Sequence, residues 1–292
     1  MYRMKFLKSI FAVVTAAIML SSCGSDEASD STMEMDYTGC FNYIYNKNLA
    51  TGVIYTGTTY KIVWKGDFTA DVYVNNAKFS MSMPDGVNIL FKDLKWTYLN
   101  GIKCINATNV VPSAVTMNGG NVELSTYVLD KINVEVLERR LLNFTPEYVP
   151  VVNISMSKGD VEVITIQKYR LYVGPTEVTN TMSQTKYNSP TKYYAVTLDP
   201  VSMEAKIDIY GASFANNMPQ FDMTFSEVKF KLSNVGYRLN SDNLIPTIRG
   251  IKYEKYAITD LVGDGVFASG LDLQFNCMDI YAVDAKLGYN LD

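Results

Sequence analysis

The sequence predicts an all-β protein built from two tandem, duplicated β-barrel or β-sandwich domains. Three observations carry that prediction. Apolar residues alternate with others over short stretches, as at Val72 and Val74, Ile207 and Ile209, and Ile132, Val134 and Val136. A period of two places every second side chain on one buried face of a strand. Turn signals separate the stretches, at Asn118-Gly119-Gly120, Lys158-Gly159-Asp160 and Asp264-Gly265. The third observation is that the second half of the chain repeats the first.

The repeat is read directly. Residues 70–84, ADVYVNNAKFSMSMP, align with residues 205–219, AKIDIYGASFANNMP, at an offset of 135. FKDLKW (91–96) then faces FSEVKF (225–230), and NVVP (109–112) faces NLIP (243–246), at an offset of 134. Three blocks in one order at nearly constant spacing indicate a tandem duplication of one structural unit. Between the copies, Phe144–Pro150 carries Pro146 and Pro150, which interrupt any strand or helix, and so reads as the linker. The expected domains are residues 36–145 and 146–292, each of ordinary single-core size. VLERRLL (136–142) is the one stretch with a short helical reading.

Ahead of the domains lies an export signal. Arg3, Lys5 and Lys8 precede an apolar run from Ile10 to Leu20, shorter than the roughly 20 residues that span a bilayer. Leu20-Ser21-Ser22-Cys23 follows, so residues 1–22 read as a signal peptide and Cys23 as the lipidated first residue of the mature chain. Each acyl CH₂ buried in the membrane adds about 0.8 kcal/mol, so several palmitate-length chains hold the protein firmly. Residues 23–35 read as the lipidated cysteine and a flexible acidic tether, with Asp26, Glu27, Asp30 and Glu34 and no core-forming pattern.

Composition excludes several functions. Removing residues 1–22 takes away three basic residues and no acid, leaving 23 basic against 30 acidic residues. That balance provides no basic footprint for nucleic acid. The chain has no histidine, which removes His-based triads, His-assisted cysteine nucleophiles and His-ligated metals. Of four cysteines, Cys23 is assigned to lipid, leaving Cys40, Cys104 and Cys277. Cys277 continues the alternation of Leu271, Leu273 and Phe275 and is expected to be a small buried apolar residue; Cys40 and Cys104 are left as a candidate pair.

The remaining candidates are few. Phe79-x-x-x-Met83-Pro84 and Phe214-x-x-x-Met218-Pro219 read as a strand end, the methionine filling a core gap and the proline closing the ladder. Tyrosine occurs 21 times, and Tyr43, Tyr45, Tyr187, Tyr193 and Tyr194 are candidates for stacking on a sugar or lining an apolar pocket, beside their ordinary role in strands. Asp260 and Asp264 lack the loop spacing of an EF-hand, and no metal ligand is assigned. GASFA (211–215) ends in Ala215 and is no nucleophile elbow. Catalytic, cofactor and ligand residues are not assigned from sequence, and Cys23 is the single functional residue named.

The lipobox followed by Ser25-Asp26-Glu27 resembles surface lipoproteins of Bacteroidetes. The repeated blocks FSMSMP and FANNMP, FKDLKW and FSEVKF, NVVP and NLIP are similar to the uncharacterised calycin-like (lipocalin-related) β-domains of that group. The resemblance covers most of the mature chain and brings no activity with it. It implies an outer-membrane location, exposed at the cell surface, and barrels of the kind that enclose small apolar ligands. The expected function is therefore a non-enzymatic, lipid-anchored binding protein for a small apolar molecule or a glycan, with no cofactor and no nucleic-acid partner. The alternative is a fimbrillin-like structural or adhesive subunit, and the third reading a carboxylate-based hydrolase.

Overall fold

The computed structural model describes residues 32–80, 83, 85–115, 121–125, 127–137, 150–215 and 217–289. The first twelve strands are β1 (Met33–Tyr37), β2 (Cys40–Asn46), β3 (Thr51–Thr56), β4 (Thr59–Trp64), β5 (Thr69–Ala77), β6 (Val87–Leu99), β7 (Ile102–Val110), β8 (Ser113–Val115), β9 (Asn121–Glu123), β10 (Leu129–Leu137), β11 (Val151–Lys158) and β12 (Val161–Gln167). The next twelve are β13 (Tyr169–Tyr172), β14 (Thr176–Asn180), β15 (Lys186–Asn188), β16 (Tyr193–Asp199), β17 (Glu204–Ala212), β18 (Phe221–Leu232), β19 (Gly236–Leu244), β20 (Thr247–Ile248), β21 (Ile251–Lys252), β22 (Ile258–Val266), β23 (Gly270–Cys277) and β24 (Tyr281–Gly288). The protein is thus all-β, with two tandem barrel-like domains.

Each twelve forms one antiparallel sheet, and the two sheets have the same order. The first runs β1-β4-β5-β6-β7-β10-β11-β12-β2-β3, the second β13-β16-β17-β18-β19-β22-β23-β24-β14-β15. Only Thr38 and Gly39 separate β1 from β2, yet β1 pairs with β4 and β2 with β12. One stretch of chain therefore joins both ends of the meander and curls the sheet into a barrel. β13 and β14 do the same in the second domain, through β16 and β24. β3 and β15 are hairpin partners outside the barrel path, and the β8–β9 and β20–β21 hairpins hang from β6 and β18.

The duplication extends to the irregularities. β5 and β6 slip register between Ala70 and Val72 and again between Val74 and Ala77; β17 and β18 slip between Ala205 and Ile207 and between Ile209 and Ala212. A bulge leaves one N–H outside the ladder, and a side chain accepts it in both copies. Asn76 N–H donates to Asn88 Oδ1 at 2.9 Å, and Gly211 N–H to Asp222 Oδ1 at 3.0 Å. Asn76 and Gly211 have φ of 54° and 72°, the left-handed region that asparagine and glycine tolerate best. The described residues of the blocks 70–84 and 205–219 therefore occupy the same place in both barrels.

The expected boundary at 145/146 is corrected. β11 and β12 complete the first barrel by pairing with β10 and β2, so residues 33–167 form one unit and 169–289 the other. The proline-bearing stretch before β11 connects β10 to β11 inside the first barrel; its residues 138–149 lie outside the described structure, while Pro150 is buried at the start of β11. The junction is Lys168 alone. Its N–H donates to Gly39 O of the first barrel at 2.9 Å, and its carbonyl accepts Leu198 N–H of the second at 2.7 Å. The tether is also shorter than expected, because Met33, Glu34 and Met35 belong to β1. Asp264-Gly265 is no turn: both residues lie within β22, where a Cβ on Gly265 would meet the Tyr237 ring at 2.4 Å. Val136 and Leu137 close β10, and the rest of VLERRLL, Asn118-Gly119-Gly120, the signal peptide and Cys23 lie outside the described residues.

Both faces of β2 are buried. Cys40 and Ile44 point into the first barrel, while Phe41 and Tyr43, with Ile164 and Ile166 of β12, join the apolar cluster of the second. The two barrels are therefore packed through an apolar seam, and removing that surface from water stabilises the pair by roughly 25 cal/mol per Å².

Candidate functional site

The repeated Phe-x-x-x-Met-Pro motif shapes the mouth of each barrel. Phe79 N–H donates to Met83 Sδ at 3.3 Å, and Phe214 N–H to Met218 Sδ at 3.2 Å. Met83 and Met218 N–H groups return to Ser80 O and Ala215 O. This tight loop holds Phe79 and Phe214 buried at the barrel end. Pro84 lies outside the described residues, and Pro219 is exposed.

Around that loop the two mouths differ. In the second barrel, Phe275 of β23 meets Phe214 and Phe225 edge-on, with ring centroids 5.1 and 5.4 Å apart, and Cys277 and Tyr281 are buried beside it. Cross-strand register makes Met156, Lys158 and Val161 the counterparts of Phe275, Cys277 and Tyr281 in the first barrel. The smaller Met156 and Val161 leave a cleft of about 360 Å³, walled by Phe79, Tyr127, Leu129, Met156, Val161 and Val163. Its wall is apolar. Lys158 stands at the lip, its Nζ 4.5 Å from the Tyr127 ring centroid and donating to Val128 O at 2.8 Å. A small β-barrel has room for its own side chains or for one small ligand, and trimming two of those side chains moves it toward the second case.

A second cleft, of about 420 Å³, lies on the outside of the second barrel and is polar. Lys192, Asp208, Tyr210, Asp222, Thr224 and Arg249 line it. Tyr193 stacks on Tyr210 with ring centroids 4.0 Å apart; burial and the neighbouring Tyr210 phenol raise the Tyr193 pKa. Both carboxylates are engaged: Asp208 accepts the Thr224 hydroxyl at 2.7 Å and pairs with Lys206 at 2.7 Å, and Asp222 holds the bulge N–H of Gly211.

The sequence-level candidates separate into these settings. Tyr194 is fully buried inside the second barrel, hydrogen-bonded to Thr176 Oγ1 at 2.8 Å, and Tyr43 is buried in the seam. Tyr45 and Tyr187 are half-buried against the same cluster, and Tyr193 lies beside the polar cleft through its stack on Tyr210. Cys40 and Cys104 are free thiols on β2 and β7, so they form no pair. Burial pushes Cys40 up to about 11 and Cys277 up to about 12, leaving both as unreactive core residues. Asp260 sits at a bulge with φ of 53° and accepts from Asn276 Nδ2 at 2.9 Å, while Asp264 faces Arg238. Among the described residues no cluster of three acidic or cysteine side chains is placed to hold a metal.

Sequence reasoning missed Tyr127, Met156, Lys158 and Val161. A signal exists: aligning VVNISMSK with GLDLQFNC puts Met156 against Phe275. That alignment needs an offset of 119, because the β7–β10 and β10–β11 connections are five and ten residues longer than their counterparts, so the offset of 134 runs past it. Compared with known proteins, the chain matches no family model, no curated protein and no solved structure.

Proposed function

We propose that this chain is a lipid-anchored binding protein that takes a small apolar molecule at the mouth of its first barrel. One observation carries the reading: at equivalent positions the second barrel is filled by Phe275 and Tyr281, and the first is opened by Met156 and Val161. Anchorage through Cys23 rests on the lipobox and the acidic residues after it. Lys158 at the lip favours a molecule with an anionic end. The test uses an anionic naphthalene sulfonate dye with the chain from Gly24 onward, which retains every described strand. Dye fluorescence should rise saturably, and Met156→Phe with Val161→Tyr, the residues the second barrel already accommodates, should abolish the rise while circular dichroism stays unchanged. Unaltered dye binding by that double variant refutes the assignment.

A glycan is the second reading, favoured by the Tyr193–Tyr210 stack beside polar donors and acceptors in the outer cleft of the second barrel. Thermal stabilisation by an oligosaccharide that is lost in Tyr210→Ala supports it.

A further inference from the structure

Arg170 of β13 is buried in the second barrel, 2 % exposed. Its Nη1 donates to Phe267 O at 3.1 Å and to the Tyr289 hydroxyl. Around it, Tyr172 OH lies 2.7 Å from Tyr237 OH and 3.3 Å from Tyr289 OH. The Phe267 and Tyr289 ring centroids stand 5.3 and 5.8 Å from the guanidinium carbon. Nε and Nη2 are buried and have no hydrogen-bond partner, and among the described residues no carboxylate pairs with the guanidinium.

We propose that the Nε–Nη2 edge of Arg170 is a binding site for a carboxylate inside the second barrel. The unpaired donors are the two that run parallel along one side of the guanidinium, the geometry that matches both oxygens of a carboxylate. The bonds already made leave from the other nitrogen. The charge also lacks compensation. Arginine stays protonated, while burial holds the Tyr172 and Tyr237 hydroxyls in the neutral form well above neutral pH. A buried cation with no counter-charge is strongly disfavoured. Packing alone does not demand the cation. Met35 occupies the equivalent position in the first barrel, where Met35 faces Ile62 and Arg170 faces Val196, and there the Tyr37 hydroxyl contacts Met35 Sδ at 3.3 Å. The carboxylate has two sources: a molecule from solution, or the chain's own Asp292, which follows Tyr289 by three residues and lies outside the described residues.

The test measures thermal unfolding of the chain from Gly24 onward, and of the same chain lacking residues 290–292, with sodium chloride exchanged for sodium formate at constant ionic strength. Formate should raise the melting temperature saturably above chloride, and at 100 times its dissociation constant should shift the folding equilibrium about a hundredfold. A response in the intact chain assigns the carboxylate to solution; a response only after the deletion assigns it to the chain itself. Arg170→Met should remove the response, and Arg170→Lys, which keeps the charge without the parallel N–H pair, should reduce the preference for formate over chloride. Line broadening of ¹³C-formate by the responsive chain, weakened with Arg170→Lys, reads the site directly if Arg170→Met does not fold. The proposal is overturned if neither chain distinguishes formate from chloride, or if the arginine variants respond as the parent does.

Discussion

Asn42 offers the most searching test of the first barrel. Its Oδ1 accepts the Tyr60 hydroxyl at 2.9 Å and the Thr165 hydroxyl at 3.0 Å, and its Nδ2 donates to Thr58 Oγ1 at 3.1 Å. All four side chains are buried. In Asn42→Ala, Thr165 can still donate to the Tyr60 hydroxyl, 2.7 Å away, and Thr58 keeps Asn76 O, so the buried Tyr60 hydroxyl is left without an acceptor. That orphan and the small cavity together cost about 3 kcal/mol. The second barrel solves the same problem more simply, with Thr176 opposite Ala285 and a single bond to Tyr194. Asn42→Thr with Thr165→Ala transplants that solution and should cost only about 1 kcal/mol. Both tryptophans, Trp64 and Trp96, lie in the first barrel, so tryptophan fluorescence during urea unfolding reports that barrel selectively. At the usual urea slopes the single variant should lower the midpoint by about 1–2 M, and the double variant by less than half as much. A double variant as unstable as Asn42→Ala would show that the barrels do not share an interchangeable interior.

Further expectations concern the anchor, pH and close strand packing. Metabolic labelling with a fatty acid should mark the wild-type protein and not Cys23→Ala; label retained by the variant removes the lipoprotein reading. With no histidine, the urea midpoint should stay flat between about pH 6 and 8. Above pH 9 it should fall, because Cys40, Cys277 and Tyr194, held near 11, 12 and 12 by burial, ionise first in the unfolded chain, at their ordinary values of 9, 9 and 10. The stabilisation is complete below pH 9 and is lost as pH climbs toward 12, so a midpoint transition near pH 7 would contradict the assignment. Gly236→Ala places a Cβ 1.9 Å from Gly265 O, forcing β19 from β22 at a cost of about 3 kcal/mol or more. Circular dichroism should show early loss of the second barrel; a parental unfolding curve for this variant would be inconsistent with the close approach.

The β-period, the duplication and the lack of histidine chemistry are properties of the sequence by itself. Val72, Val74, Ile207 and Ile209 alternate because every second strand residue faces a core, and local chemistry suffices to read that. The same rule fails at β2, CFNYIYN, because Phe41 and Tyr43 are buried against the neighbouring barrel while Asn42 is buried inside its own. The domain boundary was hidden for a related reason. Prolines mark a break in a strand wherever it occurs, and here they mark a long connection within one barrel, while the true junction at Lys168 is sealed by backbone hydrogen bonds that any residue but proline can make. Whether a barrel mouth is open depends on side-chain volumes contributed by strands far apart in the chain: Met156, Val161 and Phe79 in one barrel, Phe275, Tyr281 and Phe214 in the other. Tertiary structure alone brings those volumes together, just as it alone turns Arg170, an unremarked residue near the start of a strand, into a buried cation with one edge unpaired.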